Sequence, residues 1–212
     1  MKIDFSKERN VWFILGLFGI SYVFSLLIQW LEHHLPESVQ EFIEMFHVFT
    51  IPINFYILVK LFENYLWKWK IWEFIKIVNF PDLNGIYKGK FTSSFKDENG
   101  KNFEGKMTLK IKQSFSKITI NCIFDLSKSI STKAFFAFND LEQKNCLYYF
   151  FQNKPEKNAV EEMHIHEGSA ILSYDEVTKK LEGEYYSGRD RNNYGNIKVI
   201  KIDDKKISRL FS

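Results

Sequence analysis

Residues 84–95 read NGIYKGKFTSSF, which places Tyr87, Gly89, Phe91 and Ser93 on one parity and Ile86, Lys88, Lys90 and Thr92 on the other. A period of two with an aromatic face opposite a basic face is the signature of a strand lying on a core. Gly89 falls on the aromatic parity, and Gly183 repeats the pattern beside Leu181, Tyr185 and Ser187. An inward glycine either relieves crowding at a tight bend or leaves room for a guest.

The alternation continues downstream. In KMTLKIKQ, residues 106–113, Met107, Leu109 and Ile111 face one way and the lysines the other; in KITINCIFDL, residues 117–126, the apolar parity is Ile118, Ile120, Cys122, Phe124 and Leu126. Further strands are expected at Ala134–Asn139, Cys146–Gln152, Met163–His166 running on to Tyr174, Lys180–Ser187 and Asn196–Ile202. The turns KDENGK and YDEVTKK carry residues suited to reversals, including Asn99-Gly100. About eight short-linked strands predict an antiparallel up-and-down β-barrel, small and lipocalin-like, with a two-layer sandwich as the alternative. Closure is preferred because it leaves no exposed edge.

Upstream the period changes. Val11–Leu31, VWFILGLFGISYVFSLLIQWL, contains no charged residue, and a helix of that length matches a hydrocarbon core about 30 Å thick. A cleaved signal peptide is not expected, because Glu32, His33 and His34 follow in place of a small-residue cleavage site. Phe46–Phe62, FHVFTIPINFYILVKLF, is less uniform, with His47, Thr50, Pro52, Asn54 and Lys60, and reads as a second span. The connector between them carries glutamates and no lysine or arginine, whereas Lys2, Lys7 and Arg9 precede the first span and Lys60, Lys68, Lys70 and Lys76 follow the second. The positive-inside rule then places both ends in the cytoplasm. The expected organisation is a cytoplasmic terminus at 1–10, a transmembrane helix at 11–31, a short periplasmic loop at 32–44, a second transmembrane helix at 45–66, an interfacial linker at 67–80 and a cytoplasmic barrel at 81–212. Trp67, Trp69 and Trp72, alternating with lysines, suit a headgroup interface.

Charge divides along the same line: residues 1–80 carry 7 Lys/Arg against 8 Asp/Glu, and residues 81–212 carry 22 against 18. A surplus that small argues against DNA or RNA as partner and leaves room for a small anionic ligand or an anionic lipid surface. Cys122 and Cys146 have no metal-binding spacing and read as buried thiols in a reducing compartment.

Two short-linked spans followed by DLNGIYKGKFTSS and closed by LEGEYYSGRDRNNYGNIKVIKI resemble the two-transmembrane, β-barrel effectors of cyclic-oligonucleotide-based antiphage signalling (CBASS). The resemblance covers the whole chain. It implies that the barrel senses a cyclic oligonucleotide, a cyclic dinucleotide first of all, made by a CD-NTase-type nucleotidyltransferase. It further implies self-association on binding and disruption of the bacterial inner membrane by the clustered spans, with the lipid bilayer as a partner. No catalytic cofactor is implied.

Such a ligand offers two phosphates and two bases, so its site needs charge-assisted donors and flat stacking partners. SGRDRNNYG supplies both: Arg189 and Arg191 for phosphates, Asn193 for a base edge and Tyr194 for stacking. Tyr87, Ser93, Ser94 and Tyr185 are further ligand-binding candidates from inward faces and strand ends. In EEMHIHEG, residues 161–168, His164 and His166 share one side of a strand, but spacing defines no third metal ligand. No nucleophile elbow, phosphate-cradling glycine loop or spaced cysteine pairs occur, so catalysis is not expected. Two other readings remain. A membrane-anchored carrier would hold an apolar molecule among Phe91, Phe124, Phe136 and Phe138; a tethered metal-dependent enzyme would use His164 and His166.

Overall fold

The structure, a computed structural model, describes residues 8–44, 47–96, 100–141, 143–155, 165–188 and 192–202. The chain divides into two compact units, residues 2–79 with 114–116, and residues 80–113 with 117–212.

In the first unit α1 spans Glu8–Glu32, α2 Glu37–Glu44, α3 His47–Asn64 and α4 Lys70–Phe74, with a single 3-10 turn at Leu66–Lys68. Asn10–Glu32 has a mean hydropathy of 2.3 and is long and apolar enough to cross a membrane. Among the described residues it is the one helix that meets that standard. α3 runs continuously through Pro52, which has no backbone N–H to give the helix. It packs antiparallel on α1: Phe13 meets Phe62 with ring centroids 4.8 Å apart, Phe18 meets Phe55 at 5.9 Å, and the Asn54 amide donates to Ser25 Oγ at 3.0 Å. Ser21 and Ser25 are buried along this seam, and their hydroxyls donate back to α1 carbonyls. Small residues permit close helix approach, and the Asn54 amide finds its partner across the seam. The side chain of His47 lies outside the described residues.

The three tryptophans expected at a headgroup interface do not behave alike. Trp69 is exposed, but Trp67 is buried and Trp72 packs edge-on against Phe13 at 5.6 Å and Phe62 at 5.2 Å. Aromatic packing within the helices wins because the Trp72 indole N–H already has a partner there, the Leu66 carbonyl at 2.6 Å. Likewise the stretch expected as a simple loop at 32–44 contains α2.

In the second unit eight strands close into an antiparallel barrel in sequence order: β1 Gly85–Lys96, β2 Asn102–Gln113, β3 Ile118–Phe124, β4 Ser127–Asn139, β5 Lys144–Pro155, β6 His166–Asp175, β7 Lys180–Ser187 and β8 Tyr194–Lys201. β8 returns to β1 with Tyr87 opposite Lys201 and Ser93 opposite Gly195, so no sheet edge remains. The expected helix-plus-barrel class holds, and the sandwich alternative is excluded. β4 begins seven residues before the predicted strand at Ala134, and Leu126, expected on the apolar parity of β3, lies exposed beyond its end.

The inward glycines answer to the barrel's curvature. A Cβ on Gly89 would overlap the Lys198 carbonyl, and one on Gly183 the Ile171 carbonyl, so both mark close backbone approach between neighbouring strands. Turn chemistry is as expected where it is described: Gly100 has φ +74°, Lys179 φ +53°, and the Asp175 carboxylate accepts the Val177 and Thr178 N–H groups between β6 and β7. Asn99 lies outside the described residues.

One end of the barrel is filled. Leu83, Tyr87, Leu109, Ile111, Leu147, Leu172, Leu181 and Val199 form a buried apolar cluster there, each 2 % exposed or less. Residues 81–84 cover it. The Leu83 N–H donates to Gln113 Oε1 at 2.7 Å, Gln113 Nε2 to the Pro81 carbonyl at 3.2 Å, and the Tyr87 hydroxyl to the Leu83 carbonyl at 3.0 Å.

Candidate ligand cavity

Toward the opposite end the inward parities change character. Below that level they read Leu, Ile, Val and Tyr; above it they read Phe, Ser, Asn and His. The result is a cavity of about 620 Å³, within the range of roughly 300–1,000 Å³ usual for small-molecule sites. It opens among the strand ends of β1, β3, β5 and β7 and the strand starts of β2, β4, β6 and β8.

Its walls are chemically unlike. β1 to β3 contribute Phe91, Phe95, Phe103 and Phe124, with Tyr185 of β7 beside them. Phe91 is the centre of this group, its ring centroid 5.0 Å from Phe124, 5.9 Å from Phe103 and 6.4 Å from Tyr185. Gly105, opposite Phe91 in the register, makes room for the ring: a Cβ there would lie 2.5 Å from it. β4 to β6 contribute the other wall, with Ser127, Ser129, Asn153 and His166, all buried, and Tyr149 and Phe151 of β5 beside them. Register carries a polar row straight across the sheet, Cys122 opposite Ser129, Ser129 opposite Asn153, and Asn153 opposite His166.

Within that row burial pushes the Cys122 thiol up to about 11, partly opposed by hydrogen bonds with Ser129 and Tyr149, and burial also raises the Tyr149 hydroxyl. Both groups are therefore neutral at physiological pH. Both cysteines are free and buried, as expected.

Of the predicted site residues, the fold brings Ser93, Tyr185 and Asn193 together in the lining, with Ser187 between the last two in sequence. The β7–β8 connection is pinned by the Ser187 N–H donating to the Asn193 carbonyl at 2.7 Å. Arg189 and Arg191 belong to this connection and lie outside the described residues. Tyr87 does not reach the cavity. It is fully buried at the filled end, because its hydroxyl is taken by the Leu83 carbonyl. Tyr194 and Ser94 are not in the lining either: Tyr194 sits on the outward parity of β8, 61 % exposed, and Ser94 accepts the Tyr194 N–H at 3.1 Å.

The carrier reading expected four phenylalanines around one guest. Phe91 and Phe124 do line the cavity, but Phe136 packs on the core beside Tyr174 at 6.5 Å and Phe138 is exposed. For a metal centre, His166 faces inward, His164 lies outside the described residues, and no group of three or more His, Cys, Asp or Glu suited to a metal occurs among the described residues.

Ser127, Ser129 and Asn153 were not anticipated from sequence. A signal existed in SKSIST, residues 127–132, where serine alternates with larger residues, but hydropathy alone reads it inside out. Ile130 is the exposed side chain and Ser129 the buried one.

The cavity combines aromatic faces with hydrogen-bonding groups. In comparison with known proteins, the family model described as Cap15, cyclic dinucleotide receptor domain, matches residues 78–201. The chain belongs to this family. A curated relative, CD-NTase-associated protein 15 of Yersinia aleksiciae, is 27 % identical over 181 residues, covering 83 % of this chain and 80 % of that one. The matched region contains all eight strands and the whole described cavity lining. The resemblance to CBASS effectors drawn from the sequence therefore holds, and the family's role is reception of a ligand.

Proposed function

We propose that this protein is a membrane-embedded effector whose barrel binds a cyclic dinucleotide second messenger in the open-ended cavity. The observation that carries this reading is the two-walled chamber of about 620 Å³ in a chain of the cyclic dinucleotide receptor family. The messenger is the product of a CD-NTase-type nucleotidyltransferase, in keeping with the relative named for association with such an enzyme.

In this reading the barrel, residues 81–212, lies in the cytoplasm, and α1 and α3 both span the inner membrane with the polar connector outside. What supports α3 as a second span is its pairing with α1 through Asn54 and Ser25, together with the distribution of lysines at either end of the hairpin. Ligand binding promotes self-association, and clustered spans breach the bilayer and kill the infected cell. A messenger that converts a 1:99 monomer-to-assembly population into 99:1 must favour the assembled state by about 5.5 kcal/mol. Confinement to two dimensions raises local concentration and lowers what the ligand must supply. The role is reception and response without catalysis.

Arg189 and Arg191, between the lining residues Ser187 and Asn193, take the phosphates. Ser93, Tyr185 and Asn193 contact the ligand from the lining. The decisive experiment is a thermal-shift series on the full-length protein in detergent against cyclic di- and trinucleotides. Stabilisation by at least one member is expected, and a flat response from folded protein sinks the reading. With the best ligand, replacing Arg189 and Arg191 together by Ala lowers affinity about 10-fold or more and leaves the ligand-free melting temperature in place. Unchanged affinity would remove both arginines from the site.

A further inference from the structure

The proposed function leaves open which part of the messenger goes inside, and the two walls decide it. We infer that the barrel takes the nucleobases into its interior and keeps the phosphodiesters at the mouth, with the row Ser129, Asn153 and His166 reading a base edge against the phenylalanine wall. The inference rests on the proposed ligand class and deepens it.

Three observations converge. First, among the described lining residues there is no lysine or arginine, and the one carboxylate, Asp125, is exposed. Seating a phosphate in that interior would strip water from a charge without a permanent counter-charge, and burying an unpaired ion is among the costliest events in a protein. Second, Phe91, Phe103, Phe124 and Tyr185 form one aromatic cluster facing the cavity. Aromatic side chains are the usual platforms for bases, whose π faces stack regardless of sequence. Third, β4 to β6 present a register-fixed line of hydrogen-bonding groups, Ser129, Asn153 and His166, on adjacent strands and each buried, with Tyr149 and Phe151 beside them. An amide presents a donor and an acceptor side by side, the arrangement that pairs with a base edge. Stacking on one side and edge recognition on the other is what a flat heterocycle requires. A phosphate would leave the aromatic faces unused.

Selectivity follows from burial. A polar group desolvated in a narrow cavity discriminates strongly, since the wrong base leaves it without a partner. The row, held by strands on both sides, is a specificity determinant, whereas contacts at the mouth contribute affinity common to every cyclic dinucleotide.

The test measures dissociation constants of the full-length protein in detergent for cyclic dinucleotides that differ only in their bases. Asn153→Leu, close in shape to the original, and Ser129→Ala, a single hydroxyl deletion that preserves the strand, are expected to change the ratio of affinities between bases by about 10-fold. Ligand-free melting establishes that each variant is folded; if Asn153→Leu does not fold, Ser129→Ala carries the ratio test. In parallel, the tightest-binding member is prepared with one base replaced by a fluorescent analogue. Bound to wild-type protein, its emission should be quenched and shielded from iodide. Uniform loss across all bases in a folded variant, or a bound analogue as open to iodide as free ligand, overturns the inference while the receptor reading stands. Failure of the wild-type protein to bind any member overturns both.

Discussion

The two ends of the barrel are made from the same strands and the same alternation, yet one is solid and the other hollow. At the filled end inward positions include Leu109 of β2, Leu147 of β5, Leu172 of β6 and Leu181 of β7; four to six residues away on the same strands they become Phe103, Asn153, His166 and Tyr185. Strand pairing settles which positions face inward. Side-chain class decides whether they meet. Leucine and isoleucine reach the barrel axis and interdigitate, whereas serines opposite phenylalanines leave a gap that neither can close. With the proposed function, stability belongs to one end and binding to the other, a division that can be broken by substitutions whose effects fall in the wrong place.

The largest expected effect is at the filled end. Leu172→Ala removes a fully buried side chain from the packed cluster and should lower unfolding free energy by about 2–5 kcal/mol, measured by denaturant titration. Affinity of the folded fraction for the ligand should hold. A variant that lost binding and kept its stability would reverse the assignment of the two ends.

Next is a pH effect at the boundary. In the unfolded chain the Cys122 thiol titrates near 9, and in the fold burial raises it to about 11. The fold thus favours the neutral thiol. That contribution is fully present below pH 9 and is lost as pH rises toward 11, amounting to about 3 kcal/mol. Wild-type stability should fall over this window more steeply than that of Cys122→Ala, and parallel curves would show that the thiol is not desolvated.

At the open end, Phe91→Ala removes the centre of the aromatic wall. Loss of a stacking partner is worth about 1–3 kcal/mol, so affinity should drop roughly 5-fold to 150-fold by calorimetry. An unchanged dissociation constant would place the bases elsewhere.

What could be read in advance follows the same division. β1, β2, β3 and β7 were legible because their inward residues are apolar or aromatic and their outward ones polar, as in Met107, Leu109 and Ile111 against the lysines of β2. α1 was legible from an uninterrupted apolar run. The first half of β4 was hidden because a cavity reverses the usual rule: Ser127 and Ser129 face a hollow and Ile130 faces out. Among the residues lining the cavity, Ser93 and Tyr185 were named from parity and strand ends and Asn193 from the SGRDRNNYG segment. Asn153 and Ser129 were missed, since single polar residues in a strand announce nothing until register aligns them. Tyr87, named with Ser93 and Tyr185, lies away from the lining for the complementary reason. Parity gave its direction but not its level along the axis, which depends on residues 81–84 folding over that end.

The smallest effect isolates that level. Tyr87→Phe keeps the ring in the filled end and deletes only the hydroxyl that donates to the Leu83 carbonyl at 3.0 Å. The carbonyl is left without that bond in a buried setting, so stability should fall by about 1 kcal/mol, read as a small drop in melting temperature. Ligand affinity should not change, because the hydroxyl sits beneath the apolar cluster that floors the cavity. Serine at position 93, on the same strand and the same parity but buried in the lining, gives the matched contrast: Ser93→Ala should act on affinity with little effect on melting. If Tyr87→Phe weakened binding as much as Ser93→Ala, the filled end would be part of the receptor chamber, and the boundary between packing and recognition would have to move down the barrel.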